Sequence, residues 1–219
     1  MSLARPLIVV VAAAVVGFSA WTGVGAQDER AAMPTVAAEA FLGTLSDAET
    51  KTAVLGPQDA SRIDWHFIPK PTRKGLPLKA MSEPQRLAAR KLLASLVSAA
   101  GYQRADQVMT LESVVALLEK DPVKRDPLKY YFTFFGRPGD AAWAVSVEGH
   151  HISLNFLMEG DEVIASTPLF FGANPATVPE TLPAGAVEGV EAGDRVLSDA
   201  EDAGFALLNS LTDAQRSVA

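Results

Sequence analysis

The chain has 219 residues, a formal net charge of −7, three histidines and no cysteine. The lack of cysteine excludes disulfides, thiol catalysis and thiolate metal ligands, so any metal must be held by nitrogen and oxygen atoms. The acidic excess gives no general electrostatic attraction to nucleic acid or to an anionic membrane surface.

The first 26 residues have the pattern of a secretory signal peptide. Arg5 is followed by a run of apolar and small residues from Pro6 to Ala20, and the segment closes on the small residues 24–26. A run of about 15 apolar residues is shorter than the roughly 20 that cross a bilayer, so cleavage is favoured over the alternative of an uncleaved anchor. We therefore predict export to the periplasm or the medium and a single domain over residues 27–219, with no membrane attachment after cleavage.

Four segments carry Ser or Thr followed three residues later by Glu or Gln, which is the signature of a helix capping box. They are LSDAE at 45–49, MSEPQ at 81–85, LSDAE at 197–201 and LTDAQ at 211–215. Together with apolar residues at helical spacing, they predict six helices. The predicted helices cover residues 34–44, 47–54, 83–99, 103–119, 199–210 and 213–218. The third and fourth form an antiparallel hairpin around Gly101.

The composition changes after Pro127 to segments rich in aromatic and β-branched residues, separated by Gly, Pro and Asp. This pattern is typical of antiparallel strands joined by turns. The predicted strands cover residues 130–136, 142–148, 150–158 and 162–171, with a short earlier strand at 63–68. The fold class is therefore α+β, with N-terminal helices and a helical hairpin packed on an antiparallel β-meander and a C-terminal helix returning to the sheet. Residues 172–195 are predicted to be a long surface excursion.

Two of the three histidines, His150 and His151, are adjacent between two predicted strands. Successive strand residues point to opposite faces of a sheet. If Glu148 and Gly149 form a two-residue turn, both histidines open the next strand. If Gly149 is instead a bulge, both imidazoles could face one pocket. The sequence leaves both arrangements open.

These histidines are the best candidates for a metal site. His150, His151 and His66 are possible ligands, and imidazoles with one carboxylate suit Zn, Cu or Fe. Glu112 interrupts the apolar edge of its predicted helix, which makes it a candidate catalytic carboxylate, and Asn155 follows the histidines on their strand. Each has a structural alternative: a hydrogen-bonded polar strand end for the histidines and a solvated helix flank for Glu112.

The loop at 66–79 carries four cations in an acidic chain, among them Arg73 and Lys74. We predict that these two side chains bind an anionic group of a ligand. The alternative is an ordinary solvated loop.

The order of motifs along the chain resembles the family catalogued as domain of unknown function 3500. The most specific part is Gly149-His150-His151-x-x-x-Asn155, and other matching pieces are Trp65 with Pro69, Phe135-Gly136-x-Pro138 and Gly172-Ala173-x-Pro175. The resemblance covers nearly all of the chain after the signal peptide, and it implies no reaction. The positions to which it directs attention are His150, His151, Asn155, Arg73 and Glu112.

Two hypotheses from different classes follow. The first is an exported metal-dependent enzyme in which His150, His151 and Glu112 hold the metal and a water molecule, while Asn155 and Arg73 orient an unidentified small-molecule or extracellular substrate. The second is a non-catalytic ligand-binding module in which the histidines only hydrogen-bond the end of a strand. In either case we expect a monomer or a small homo-oligomer.

Overall fold

The computed structural model describes residues 33–219, so the predicted signal peptide lies outside the described residues. Within that range there are six α-helices, with bounds close to those predicted. They are α1 (Pro34–Leu42), α2 (Asp47–Ala53), α3 (Glu83–Leu96), α4 (Ala99–Glu119), α5 (Ser198–Ser210) and α6 (Asp213–Arg216).

Three of the four predicted capping boxes form, and they begin α2, α3 and α6. The fourth prediction, for the helix near residue 199, is wrong because the helix starts at Ser198 itself and its N-cap, Leu197, has no side-chain oxygen to accept a capping bond. Glu201, the expected partner in that box, pairs instead with Arg195 at 2.6 Å. The salt bridge replaces the reciprocal cap.

The same residues contain seven strands. They are β1 (Val54–Leu55), β2 (Leu76–Pro77), β3 (Tyr131–Phe135), β4 (Trp143–Gly149), β5 (Ile152–Glu159), β6 (Glu162–Ala165) and β7 (Leu169–Phe171). The main order is β1-β3-β4-β5-β6, with β2 added to β3 and β7 added to β5. Only β1 runs parallel to its neighbour among the described pairs, so the sheet is a mixed one built around the predicted meander.

The predicted early strand at residues 63–68 is wrong. Carbonyl groups in this segment accept hydrogen bonds from side chains rather than from a neighbouring strand: Arg73 donates to His66 and Ile68, and Lys74 donates to Asp64. The predicted strand 162–171 is divided into β6 and β7, since Pro168 between them has no N–H to donate to a ladder.

The two faces of the sheet differ. Val145 and Val147 of β4 and Leu154 and Phe156 of β5 point towards the helices and belong to a core cluster that includes Phe41. Burying each such side chain contributes about 1.5–3 kcal/mol, so this layer supplies much of the stability. Residues of the alternate phase, among them Ser146 and Asn155, lie on the other face, which we call the outer face.

The segment at residues 172–195 is more than a surface excursion, since three of its apolar side chains are buried against α4. Val178, Leu182 and Val187 pack with Leu111 and Val114 of that helix in a second, smaller cluster. The excursion therefore covers part of the helix that carries Glu112.

The α+β class and the order of helices and strands are confirmed. No residue of α5 or α6 is buried. None of the described helices combines the length and apolar character that a bilayer-spanning segment needs.

Candidate functional site

The two adjacent histidines form the turn between β4 and β5. Gly149 pairs directly with Ile152, so His150 and His151 are the two residues of the hairpin loop and belong to neither strand. Neither arrangement considered from the sequence is correct. His151 has φ of 60°, a left-handed conformation that is uncommon for a residue with a side chain.

Four hydrogen bonds from other parts of the chain hold the backbone of this turn. Arg73 donates to the carbonyl of Gly149 at 3.1 Å, and the Tyr130 hydroxyl donates to the carbonyl of His150 at 3.0 Å. The N–H of His151 donates to the Phe67 carbonyl at 2.8 Å, and its carbonyl accepts from the N–H of Gly172 at 2.8 Å. These bonds offset the unfavourable backbone conformation and fix the directions of both imidazoles.

Tyr130 also explains why a glycine precedes the histidines. A Cβ atom on Gly149 would lie 2.2 Å from the Tyr130 ring, a distance at which one of the two must move. The ring itself is fully buried, and burial raises the pKa of the Tyr130 hydroxyl well above its ordinary value, with the Glu112 carboxylate adding to the rise.

The turn brings His150 against Glu112 of α4. Nδ1 of His150 contacts Oε1 of Glu112, and both residues are buried. A carboxylate only accepts, so a contact with ionised Glu112 assigns the donor role to Nδ1 of His150. Arg125 lies beside the pair, with Nη1 3.4 Å from Nδ1 of His150. Two donors cannot bond each other, so Arg125 acts here through its charge.

Arg125 is itself fixed by a two-pronged pair with Glu119 at the end of α4. Its Nε and Nη2 atoms donate to the two carboxylate oxygens at 2.9 and 2.7 Å. Hydrogen bonds from Arg125 lower the pKa of Glu119 to about 2, so this carboxylate stays charged under ordinary conditions. The arrangement holds the Arg125 guanidinium next to His150.

His151 stacks edge-on against His150, with ring centroids 4.1 Å apart. Burial, reinforced by the neighbouring His150, lowers the pKa of His151 to about 4. Its Nδ1 is buried without a hydrogen-bond partner among the described residues. The close approach of Gly172, where a Cβ would lie 2.3 Å from that nitrogen, leaves no room for another group there.

A small polar recess opens beside His150 and Glu112. Its volume is about 10 Å³, close to the minimum that admits one water molecule. Its lining includes four cationic side chains, Lys70, Arg73, Lys124 and Lys129. Lys70 forms no ion pair within residues 33–219, so its charge is available at the rim.

Arg73 and Lys74 are largely occupied within the protein. Glu148, on the outer face of β4, pairs with Lys74 at 2.8 Å and with Arg73 at 3.8 Å, and the side chains of Arg73 and Glu148 are each 3% exposed. Burial lowers the pKa of Arg73, while the Glu148 charge opposes that shift. Through these contacts, Arg73 and Lys74 attach the 64–74 loop to the sheet. Ligand binding by these two cations stays a prediction.

His66 and Asn155 are not brought to the His150–Glu112 pair. The imidazole of His66 is 41% exposed and pairs with Asp64 at 2.9 Å. Asn155 donates to Ser153 and to the carbonyl of Pro168 and lies in a separate groove on the outer face. Among residues 33–219 there is no group of three or more His, Asp and Glu side chains arranged to hold a metal ion. Metal binding stays a prediction.

Sequence reasoning did not identify Arg125, Tyr130 or Glu148 as parts of the site. Arg125 lies 25 residues from His150 in the chain, and no local motif marks it. Glu148 was recognisable from the sequence, because it directly precedes Gly-His-His and is in phase with Ser146 rather than with the apolar residues of β4. A carboxylate at such a position is expected to pair with a cation. The nearby loop cations are that partner.

Comparisons with known proteins identify the family of the chain but no reaction. No curated protein matches the chain. No solved structure matches it either. The model of the family described as "Protein of unknown function (DUF3500)" matches residues 27–219, and the chain therefore belongs to that family.

Proposed function

We propose that this protein is an exported enzyme that uses His150, oriented by Glu112, as a general acid–base on a small anionic substrate. The observation that carries the proposal is the buried contact between Nδ1 of His150 and Oε1 of Glu112 at a recess lined by cations. Export to the periplasm or the medium is part of the proposal and is supported by the signal-peptide pattern of residues 1–26.

The pair has the geometry that acid–base chemistry requires. A carboxylate that accepts from one imidazole nitrogen fixes the tautomer and ring orientation, and it stabilises the imidazolium formed when the other nitrogen takes a proton. The anchored turn holds His150 in one position, which lowers the cost of aligning it with a substrate.

The charge around the recess supports an anionic substrate. Lys70 at the rim and Arg125 beside His150 attract a negatively charged group, and the recess itself admits no group much larger than a water molecule. The substrate would therefore place its anion at the rim, with proton transfer to or from His150 directly or through one water molecule.

A metal-dependent reaction is the second candidate, and the adjacent rings of His150 and His151 favour it. Burial keeps the His151 ring neutral, which is the form that binds zinc, copper or iron. The cations that surround His150 weigh against this candidate, because they repel a divalent metal ion.

Two measurements on the purified protein separate these functions. The first is metal content by mass spectrometry, for the parent and for a His150→Ala/His151→Ala double variant. The second is the imidazole NMR spectrum during titration with inorganic phosphate and with acetate. Acid–base function predicts a metal-free parent in which the anions shift the His150 signals.

The matched variants are His150→Gln and Glu112→Gln, with His66→Gln as the control because His66 is exposed and paired only with Asp64. A screen of chromogenic phosphate monoesters, which carry the expected negative charge, should find activity that both site variants lose and the control retains. Near-stoichiometric metal that only the double variant loses would establish the second candidate. A metal-free protein whose His150 signals ignore both anions would leave the histidines as structural residues of a non-catalytic binding module.

A further inference from the structure

A groove of about 410 Å³ lies on the outer face of the sheet and shares no lining residue with the recess beside His150. Its floor includes Ser146 of β4 and Asn155 of β5, which are direct partners across the two strands. Trp65 and Pro168 also line it. The volume falls in the range of roughly 300–1,000 Å³ that is usual for small-molecule sites.

The hydroxyl of Ser146 has no hydrogen-bond partner among the described residues, although the residue is only 1% exposed. Folded proteins seldom leave a buried hydroxyl unpaired, since its desolvation is then uncompensated. Ser146 lines the groove and its Oγ is buried, so a bound molecule can supply the missing partner once this short side chain rotates towards the groove.

Asn155 adds an acceptor beside this hydroxyl. Its Nδ2 atom donates to the Pro168 carbonyl at 3.0 Å and to Oγ of Ser153 at 3.1 Å. The Pro168 carbonyl can only accept, so the amide cannot be turned the other way, and both N–H groups are in use. Oδ1 of Asn155 is left without a partner among the described residues. A hydroxyl group on a ligand satisfies both sites, because it can donate to Oδ1 and accept from Ser146.

The remaining lining identifies the rest of the ligand. Trp65 and Phe135 present aromatic surface and Leu157 and Pro168 aliphatic surface, which suits a ring. Arg62 also lines the groove, and it forms no ion pair with any side chain in the described range. A guanidinium at this position complements a carboxylate.

We propose that this groove binds a hydroxylated aromatic carboxylic acid, with its ring against Trp65, its hydroxyl between Ser146 and Asn155, and its carboxylate towards Arg62. The site is separate from the proposed acid–base pair, so each can fail without the other.

The test is calorimetric titration of the purified full chain with 4-hydroxybenzoate, benzoate and phenol. The parent should prefer 4-hydroxybenzoate over benzoate by about tenfold, because benzoate leaves the hydroxyl-binding groups unpaired. Ser146→Ala should reduce that preference to about twofold, and Arg62→Gln should weaken both acids by about threefold while leaving phenol unchanged.

Ser146→Ala is a suitable variant because it removes no hydrogen bond that the described residues make, so it should fold as the parent does. His150→Gln is the matched control and should leave all three affinities as they are. The proposal is overturned if none of the three compounds binds at concentrations up to about 10 mM. It is equally overturned if Ser146→Ala keeps the full preference, or if His150→Gln abolishes binding.

Discussion

The recess beside His150 and the groove on the outer face are complementary in what they contain. At the recess, the His150–Glu112 pair is buried and only about 10 Å³ is open. The groove has about 410 Å³ of space and one lining cation, Arg62, and the buried hydroxyl of Ser146 has no partner among the described residues. The comparison teaches that fixing a buried polar pair uses up the surrounding space, whereas the wider groove leaves polar groups such as the Ser146 hydroxyl unpaired.

The largest expected effect on stability comes from removing the buried carboxylate of Glu148. Glu148→Ala leaves the buried cations Arg73 and Lys74 without their carboxylate, and the loss of one partner from such a pair costs about 3–5 kcal/mol. Urea unfolding should show a lower midpoint with an unchanged slope. Glu162→Ala, at an exposed strand position, is the control and should change little. Equal effects from the two variants would show that Glu148 does not hold the loop.

A smaller loss of stability is expected at Gly149, which packs against the Tyr130 ring beside the recess. Gly149→Ala places a methyl group 2.2 Å from the Tyr130 ring, and such overpacking costs about 1–3 kcal/mol. Gly56→Ala is the matched control, since a Cβ there meets no atom within 4 Å. The two variants should differ clearly in thermal unfolding, and a Gly149→Ala protein as stable as the control would mean that the Tyr130 ring moves aside easily.

The third prediction concerns pH. Burial lowers the pKa of His151 from its ordinary value of 6.5 to about 4, so between these values the unfolded chain binds a proton that the folded chain does not. The free energy of unfolding should therefore be fully retained above pH 6.5 and fall as the pH drops towards 4. Solvent screening of the partly exposed ring limits the loss to about 1–2 kcal/mol.

His151→Asn is the variant that tests this assignment, because Asn does not titrate and tolerates the left-handed backbone of the turn. Its stability should change less with pH across the same window, as measured by urea unfolding at each pH. An unchanged pH dependence would place the acid sensitivity in other groups.

The smallest expected effect is a difference in stability between alanine variants of two buried serines. Ser146 of β4 and Ser153 of β5 lie on the same face of the sheet. Ser146→Ala removes an unpaired hydroxyl and should leave stability unchanged or raise it by up to about 1 kcal/mol. Ser153→Ala removes the acceptor for Asn155 and should cost about 1 kcal/mol. A loss of stability in Ser146→Ala would mean that its hydroxyl has a partner after all, and the groove would lose its main polar anchor.

Features set by neighbouring residues were predictable from the sequence, and features set by distant residues were not. The helices and the long strands were predictable because capping residues and alternating apolar side chains act over a few neighbouring residues, as at Ser46 and along β4. The strand expected at residues 63–68 failed because Arg73 and Lys74, several residues later, satisfy its carbonyl groups with their side chains.

The sequence by itself determined the α+β class and the family, and it singled out the histidine pair and Glu112 as candidate site residues. Tertiary structure decided that His150 and His151 form the turn, that Glu112 meets His150 across 38 residues, and that Arg125 joins them. It also decided that Asn155 serves a separate groove. The physical reason is that local patterns act between neighbours in the chain. Long-range pairing between buried charges depends on how a helix and a hairpin pack, and no short stretch of sequence records that packing.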